Sequence, residues 1–255
     1  MKNVLRRVKI CIKFILAATL GRLLNIFYKF NCPLVLCYHG ISNSTFNDIN
    51  NITLEQFIYQ VNLLKCLNYE FVSLSEFEKY LYLNKLNKKH CLITFDDAPS
   101  SFLRAARYLA KENIPFAVFI CTRYANSENG YWCNWEIFKE IEEKMAVEFG
   151  SHSSNHHRMD KININDAFND IMISFLEIKG KLKKTTNSFA FPYGKFSKEL
   201  LSKLKENGIK PIFLTDVRKG DKYLANYCAF RRISVDYHDS KKSFLYKIKG
   251  YYRFL

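Results

Sequence analysis

Two adjacent carboxylates, Asp96 and Asp97, end the stretch CLITFDD, directly after the apolar run Leu92-Ile93-Thr94-Phe95. Like charges side by side repel, and each costs free energy to desolvate, so something positive is expected beside them. Farther along, HSSNH supplies His152 and His156. Two His and one Asp make a three-ligand set with one open position, the usual form of a hydrolytic zinc site. A divalent cation there lowers the pKa of water toward about 7. The Asp left off the metal can then take the proton as general base. Each motif alone is ordinary: an Asp pair at a strand end also suits a helix cap, and a lone His-x3-His is a weak ligand signal. Their coincidence is what carries the reading.

The elements that must position these groups follow from hydrophobic periodicity. Strands are expected over residues 32–41, 69–74, 90–95, 114–121, 145–152, 188–194, 209–216 and 228–236. Helices are expected between them. The first, over 50–68, opens on a Thr53–Gln56 capping box, the next is capped by Ser75, and another stops at Gly208. Strand–helix alternation implies a parallel sheet with crossover helices, and the absence of a linker favours a closed or nearly closed barrel over two domains. In such folds functional groups gather at the C-terminal ends of the strands. Those ends carry Tyr38-His39, Asp96-Asp97, SHSSNHH, Pro192-Tyr193-Gly194 and Arg231-Arg232. Adjacent strand residues face opposite ways, so both Asp can serve one site only where the strand stops and turns; Pro99 and the serines after it mark such an exit.

Composition bounds the rest. The 255 residues are 48% hydrophobic, enough for a substantial core in one large α/β domain. The net charge of +15 favours anionic partners, yet the lysines are spread along the chain and no nucleic-acid motif appears, so nucleic acid is not expected as a partner. The eight cysteines form no CxxC pair, and several sit in apolar runs as small buried hydrophobes of a reducing compartment. Residues 1–31 are basic and amphipathic. Their uninterrupted apolar stretch, Phe14 to Leu20, is far short of the ~20 residues of a spanning helix. Two readings of this segment stand: a helix lying on an anionic membrane surface, and an ordinary helix packed on the domain. The expected location is cytoplasmic and peripheral on the membrane, with secretion or anchoring by this segment as the alternative. Residues 32–237 form the barrel, and 238–255 read as a basic, aromatic tail.

TFDDA, then HSSNH, then FPYG, with YHGI near the start, resembles the polysaccharide deacetylase family, the NodB-homology or carbohydrate esterase family 4 group. The resemblance covers roughly residues 32–236 and implies a deformed (β/α)7 barrel that removes N-acetyl groups from amino sugars with a divalent metal, usually zinc. Matched by motif, Asp96 is the general base, and Asp97, His152 and His156 are the metal ligands. Tyr193, after Pro192, offers a backbone N–H to the oxyanion, and Arg232 lies near the base. The implied substrate is an N-acetylated cell-surface glycan or a lipid-linked amino sugar.

The departures from the family pattern are specific. Ala98 stands where many members have Gly, which is tolerable unless φ must be positive. Ala190 stands where many have Arg, and Arg232 is the expected substitute. The usual C-terminal Leu-x-His, source of the general acid, has no clear counterpart. His238 and His39 are the two candidates for that role, with His39 alternatively a structural or substrate-side group. Trp135 either walls the site for sugar stacking or packs in the core. A non-catalytic carbohydrate-binding barrel of the same fold is the alternative function.

Overall fold

The apolar runs become strands in the expected order: β1 (Leu34–Tyr38), β2 (Ile41–Ser42), β3 (Ile52–Thr53), β4 (Glu70–Phe71), β5 (His90–Asp96), β6 (Phe116–Ile120), β7 (Val147–Ser151), β8 (Phe189–Ala190), β9 (Ile212–Leu214), β10 (Tyr223–Leu224), β11 (Ala229–Arg231) and β12 (Ile233–Ser234). This computed structural model describes residues 12–21, 23, 32–42, 50–215 and 223–254. The main sheet runs β10-β11-β9-β8-β7-β6-β5-β1-β12, with β4 added to β5, and every pairing in it except β10–β11 is parallel.

One segment joins the two ends of that order. Residues 229–231 pair with β9, Ala229 opposite Ile212, and residues 233–234 pair with β1, Ile233 opposite Leu36. Between them the Arg232 N–H donates to the Leu214 carbonyl at 2.6 Å. The pairings therefore run in a ring through β1, β5, β6, β7, β8, β9 and the joined β11–β12, an α/β architecture of seven strand positions. Pairing is thinnest at β8, where Ser151–Phe189 is the single register pair with β7.

Strand alternation sorts the side chains into two layers. Leu34, Leu36, Tyr38, Cys91, Ile93, Phe95, Phe116, Val118 and Ile120 face the helices in the main core. Val35, Leu92, Ala117, Phe119, Ala190, Phe213 and Phe230 fill the interior of the ring. On the same inward parity, toward the C-terminal strand ends, lie Cys37, Thr94, Asp96, His152 and Arg232. The barrel interior is thus apolar below and polar at the mouth.

The helices Leu54–Cys66, Leu74–Tyr82, Leu103–Lys111, Trp135–Lys144, Ile164–Leu182 and Lys198–Glu206 cover the outside. Thr53 and Gln56 form the expected capping box. The second helix starts earlier than its sequence suggested: Ser73, boxed with Glu76, is its N-cap. Ser75 instead bonds Glu148, its hydroxyl donating to Oε1 at 2.7 Å. The stretch read as a tail is a helix over Lys241–Ile248, and its Phe244 and Ile248 belong to the main core. Of the expected N-terminal helix, residues 12–21 and 23 are described and the rest lies outside the described residues. Phe14 stacks on Tyr246 at 5.5 Å, and Ala17 and Gly21 are buried. Among the described residues, no helix is long and apolar enough to cross a membrane.

Candidate active site

β5 carries Asp96 inward by its alternation, and Asp97 would by the same rule face the helices. The backbone prevents this. Asp97 has φ 63°, and the Ala98 N–H donates to the Asp96 carbonyl at 2.7 Å, closing a three-residue γ-turn of the rarer, positive-φ kind. The turn brings both carboxylates to one mouth. Ala98 follows at φ 52°, so the position where many relatives have Gly does require the left-handed region, and this chain meets it with Ala. Ser153, His156 and Tyr193 also have positive φ. Such conformations cost of order 1–3 kcal/mol each, and their clustering here is strain held by the surrounding fold.

The two carboxylates have different partners. Arg232, fully buried, donates from Nη1 to Asp96 Oδ1 at 2.6 Å and from Nη2 to Oδ2 at 2.5 Å. Nη1 also donates to Thr94 Oγ1 at 3.0 Å, and that hydroxyl donates to the Leu36 carbonyl at 2.7 Å. The Cys37 thiol donates to Asp96 Oδ2 at 3.3 Å. Burial pushes the Asp96 carboxyl up, but the guanidinium and the neighbouring His152 outweigh it and hold it well below the usual carboxylate range. Asp96 is therefore an ionised, fixed carboxylate. Arg232 supplies this contact from β11–β12, while Ala190, at the place of the family's Arg, offers its carbonyl to His152. Arg232 itself rests on the Phe119 ring, 5.3 Å from its centroid. Gly150 on β7 makes room for that ring: a Cβ there would lie 2.3 Å from Phe119 Cε1.

Asp97 meets the histidines. Its Oδ1 is 3.2 Å from His156 Nε2 and 3.7 Å from His152 Nε2. His152 continues β7 on the inward parity, and its Nδ1 lies 2.8 Å from the Ala190 carbonyl, which can only accept. That bond fixes the proton on Nδ1 and turns the Nε2 lone pair to the carboxylate pair, 3.7 Å from Asp97 Oδ1 and 3.8 Å from Asp96 Oδ2. Burial pushes His152 down to about 3 and His156 down to about 4, so both rings are neutral donors of electron pairs. The loop between them is pinned by Asp170, which accepts from the Asn155 N–H at 3.1 Å and from its Nδ2 at 2.5 Å.

Two clusters among the described residues have ligand atoms within 4.8 Å of one another: Asp97–His152–His156 and Cys37–His39–Asp96. Ligands sharing a tetrahedral ion with bonds of about 2.0–2.2 Å sit about 3.3 Å apart, and in the first cluster Asp97 Oδ1 lies 3.2 Å from His156 Nε2 and 3.7 Å from His152 Nε2. The second is unsuited, because the guanidinium already occupies both Asp96 oxygens and would repel a cation. Asp97, His152 and His156 are the residues that could hold a metal.

The remaining sequence candidates separate. His39 is half-buried beside Asp96. His238 is exposed in the turn after β12, its N–H bonded to Asp236 Oδ1 and its ring against Tyr237; none of its described contacts reaches the carboxylates. Pro192 is buried and Tyr193 is 58% exposed, its ring edge-on to His156 at 4.7 Å. Trp135 takes the core alternative: it is 7% exposed, and its Nε1 donates to Asn126 Oδ1 at 2.7 Å. The aromatic groups that do border the site, Tyr124 and Trp132, were missed, as were Cys37, Thr94, Asn155 and Asp170. Inward parity with Asp96 was the available signal for Cys37 and Thr94.

The chain is similar in sequence and in fold to known proteins. A family profile described as polysaccharide deacetylase matches residues 83–212, just over half of the 255. The matched span contains Asp96, Asp97, His152, His156 and Tyr193, and leaves out His39 and Arg232. The poly-β-1,6-N-acetyl-D-glucosamine N-deacetylase of Staphylococcus aureus (strain MRSA252) is 27% identical over 208 residues, covering 72% of each chain. That of Staphylococcus epidermidis is 27% identical over 208 residues, with the same coverage. In fold, the chain is similar to IcaB from Ammonifex degensii, with TM-score 0.73, 24% identity and coverage of 88% of this chain and 98% of that one. It is also similar to the Streptococcus pyogenes deacetylase PplD in complex with acetate, with TM-score 0.74, 21% identity and coverage of 86% and 98%. Sequence match, shared fold and an intact pair of motifs at one barrel mouth lead to the same place: the chain belongs to the polysaccharide deacetylase family, hydrolases of carbon–nitrogen amide bonds.

Proposed function

We propose that this protein is a metal-dependent deacetylase that hydrolyses the N-acetyl group of an amino sugar in a cell-surface polysaccharide of the poly-N-acetylglucosamine class. The observation that carries the reading is the division of labour between neighbours: Asp97 turned to two neutral imidazoles, Asp96 held ionised by Arg232. A divalent cation in the Asp97–His152–His156 set, zinc by its preference for this donor set, would supply Lewis acidity to polarise the acetamido carbonyl and favour attack by water near neutral pH. Asp96 takes a proton from the attacking water. The Tyr193 backbone N–H donates to the oxygen on which negative charge develops. His39, beside Asp96 at the mouth, is the group we assign to give a proton to the departing amine nitrogen, in preference to the exposed His238. The products are acetate and a free amine on the sugar.

The substrate class rests on the relatives, both named for deacetylation of poly-β-1,6-N-acetyl-D-glucosamine. The test is acetate release from β-1,6-linked N-acetylglucosamine oligomers with and without chelator. Chelator-sensitive release supports the reading. Oligomer binding without release, at full metal occupancy, would instead establish a non-catalytic carbohydrate-binding barrel.

We also propose a peripheral membrane position. The described N-terminal helix turns Ala17 and Gly21 inward and leaves Ile15 59%, Leu20 45% and Leu23 56% exposed, with the exposed Lys13 beside them. An apolar face with basic flanks suits an anionic bilayer surface. Co-sedimentation with phosphatidylglycerol vesicles that is lost in Ile15→Asp would support it; wild-type protein remaining in the supernatant would refute it.

A further inference from the structure

The two histidines proposed as ligands are oriented by different means. His152 has its Nδ1 bonded to the Ala190 carbonyl at 2.8 Å. His156 Nδ1 is buried, and among the described residues no group is hydrogen-bonded to it. A ligating imidazole usually donates its other N–H to an acceptor that fixes the plane of the ring. The backbone of His156 is held, its N–H donating to Ser153 Oγ at 3.0 Å, but that bond leaves the ring to turn about its side-chain torsions.

Rings pack on both sides of it instead. Tyr193 stands edge-on to His156 at 4.7 Å and 60°, and Tyr124 lies tilted against it at 5.5 Å and 36°. Tyr124 is in turn stacked on Trp132 at 4.1 Å, with the rings 4° from parallel. Ring pairs at such separations attract beyond their buried area and prefer defined angles. Tyr193 is 58% exposed, so Tyr124, half-buried and backed by Trp132, is the firmer wall.

Main-chain bonds tie this wall to the loops that carry the ligands. The Thr122 and Arg123 N–H groups donate to the Ser153 and Ser154 carbonyls at 3.2 and 3.0 Å. The Cys133 N–H donates to the Ala98 carbonyl at 3.0 Å, and Pro99 and Trp132 pair as an antiparallel bridge. The contacts close a circuit. The turn after Asp97 holds Trp132, Trp132 stacks on Tyr124, Tyr124 packs on His156, and His156 Nε2 returns to Asp97 Oδ1 at 3.2 Å. The thickness of two stacked rings therefore sets where the His156 ring stands relative to Asp97.

We infer that Tyr124, backed by Trp132, is a positioning residue for the cation site, its ring holding His156 Nε2 toward Asp97 in place of a hydrogen-bond acceptor on Nδ1. This rests on the assignment of Asp97, His152 and His156 as ligands proposed above, and adds the group that orients the last of them. The ring face does the holding, so Phe can replace Tyr124 and a small side chain cannot.

The test compares wild type with Tyr124→Ala, Tyr124→Phe and Trp132→Ala in the whole chain. Zinc affinity is measured by chelator competition, and the order of the His152 and His156 rings by carbon-13 relaxation in zinc-free protein. The expected zinc Kd is raised roughly tenfold in Tyr124→Ala and roughly threefold in Trp132→Ala, and unchanged in Tyr124→Phe. The order parameter of the His156 ring is expected to fall from about 0.85 to below about 0.6 in Tyr124→Ala, with His152 unchanged. Trp132→Ala leaves Tyr124 in place and guards against a folding defect in Tyr124→Ala. Wild-type affinity and a rigid His156 ring in both Ala variants overturn the inference and leave the ligand assignment standing. Equal loss of affinity in Tyr124→Phe and Tyr124→Ala overturns it as well, because the hydroxyl would then be the group that acts. A wild type that binds no zinc, with the His156 ring loosened in Tyr124→Ala, overturns the ligand assignment and leaves the hold of Tyr124 on His156 standing.

Discussion

Arg232 grips Asp96 with both ends of its guanidinium, at 2.6 and 2.5 Å, in a barrel interior where Arg232 is fully buried and Asp96 is 2% exposed. The fork comes from the strand segment that completes the ring of pairings, so one residue bridges the two ends of the ring with its backbone and holds Asp96 ionised with its side chain. Removing one partner of such a pair strands the other charge in a dry interior.

Arg232→Met is accordingly expected to lower unfolding free energy by about 3–5 kcal/mol in a urea titration. Arg232→Lys keeps the charge but cannot form the fork, and acetate release is expected to fall more than stability does. Wild-type stability in Arg232→Met would mean that Asp96 is not charged in the folded protein.

Burial depresses His152 and His156 to about 3 and about 4, whereas an unfolded His titrates near about 6.5. Between those values the unfolded chain binds protons that the folded chain does not. This contribution is complete above about pH 6.5 and is lost as pH falls toward 4. Asp96, held well below an unfolded Asp by Arg232 and His152 against the upward push of burial, keeps its contribution until pH falls through its own depressed value. Chelated protein should therefore lose on the order of a few kcal/mol between about pH 7 and about pH 5. The loss should be absent in the His152→Ala/His156→Ala double variant; a flat wild-type profile would contradict it.

Gly150→Ala places a methyl group against the buried Phe119 ring on which Arg232 rests. A loss of about 1–3 kcal/mol is expected in thermal or urea unfolding, with reduced activity. Unchanged stability would show that the ring can move at no cost.

Asp170 touches no proposed ligand but anchors Asn155 between the two histidines. Asp170→Ala is expected to weaken zinc binding by about 10–100-fold in a chelator competition, with Asp97 and both histidines intact. Wild-type affinity in that variant would mean the loop keeps its shape unaided.

Much of this was legible in the sequence. Asp96, Asp97, His152 and His156 stand at strand ends because periodicity fixes where strands stop, and parallel connectivity brings those ends to one mouth. Arg232 was told from Arg231 by its match to the family motif, since the periodicity of the short β11–β12 segment does not by itself fix which arginine faces inward. The helix Lys241–Ile248 was hidden because its apolar positions, Phe244 and Ile248, are interleaved with lysines and read as tail. Phe244→Ala should cost about 3–5 kcal/mol, which a disordered tail would not. Trp135 and Trp132 are three residues apart, and only burial tells which one packs and which borders the site. The positive φ at Ala98 left no mark in its residue type, since Ala disfavours that region, and only the family's Gly at this place pointed to it.

The most direct measurement is the metal content of wild type and of Asp97→Ala, His152→Ala, His156→Ala and Asp96→Asn, by elemental analysis after dialysis against zinc. The expected result is a stoichiometric ion in wild type and Asp96→Asn, with acetate release lost in the latter, and no ion in the other three. Zinc retained by Asp97→Ala, or lost from Asp96→Asn while that variant remains folded, would place the cation elsewhere and contradict the assignment of the two carboxylates.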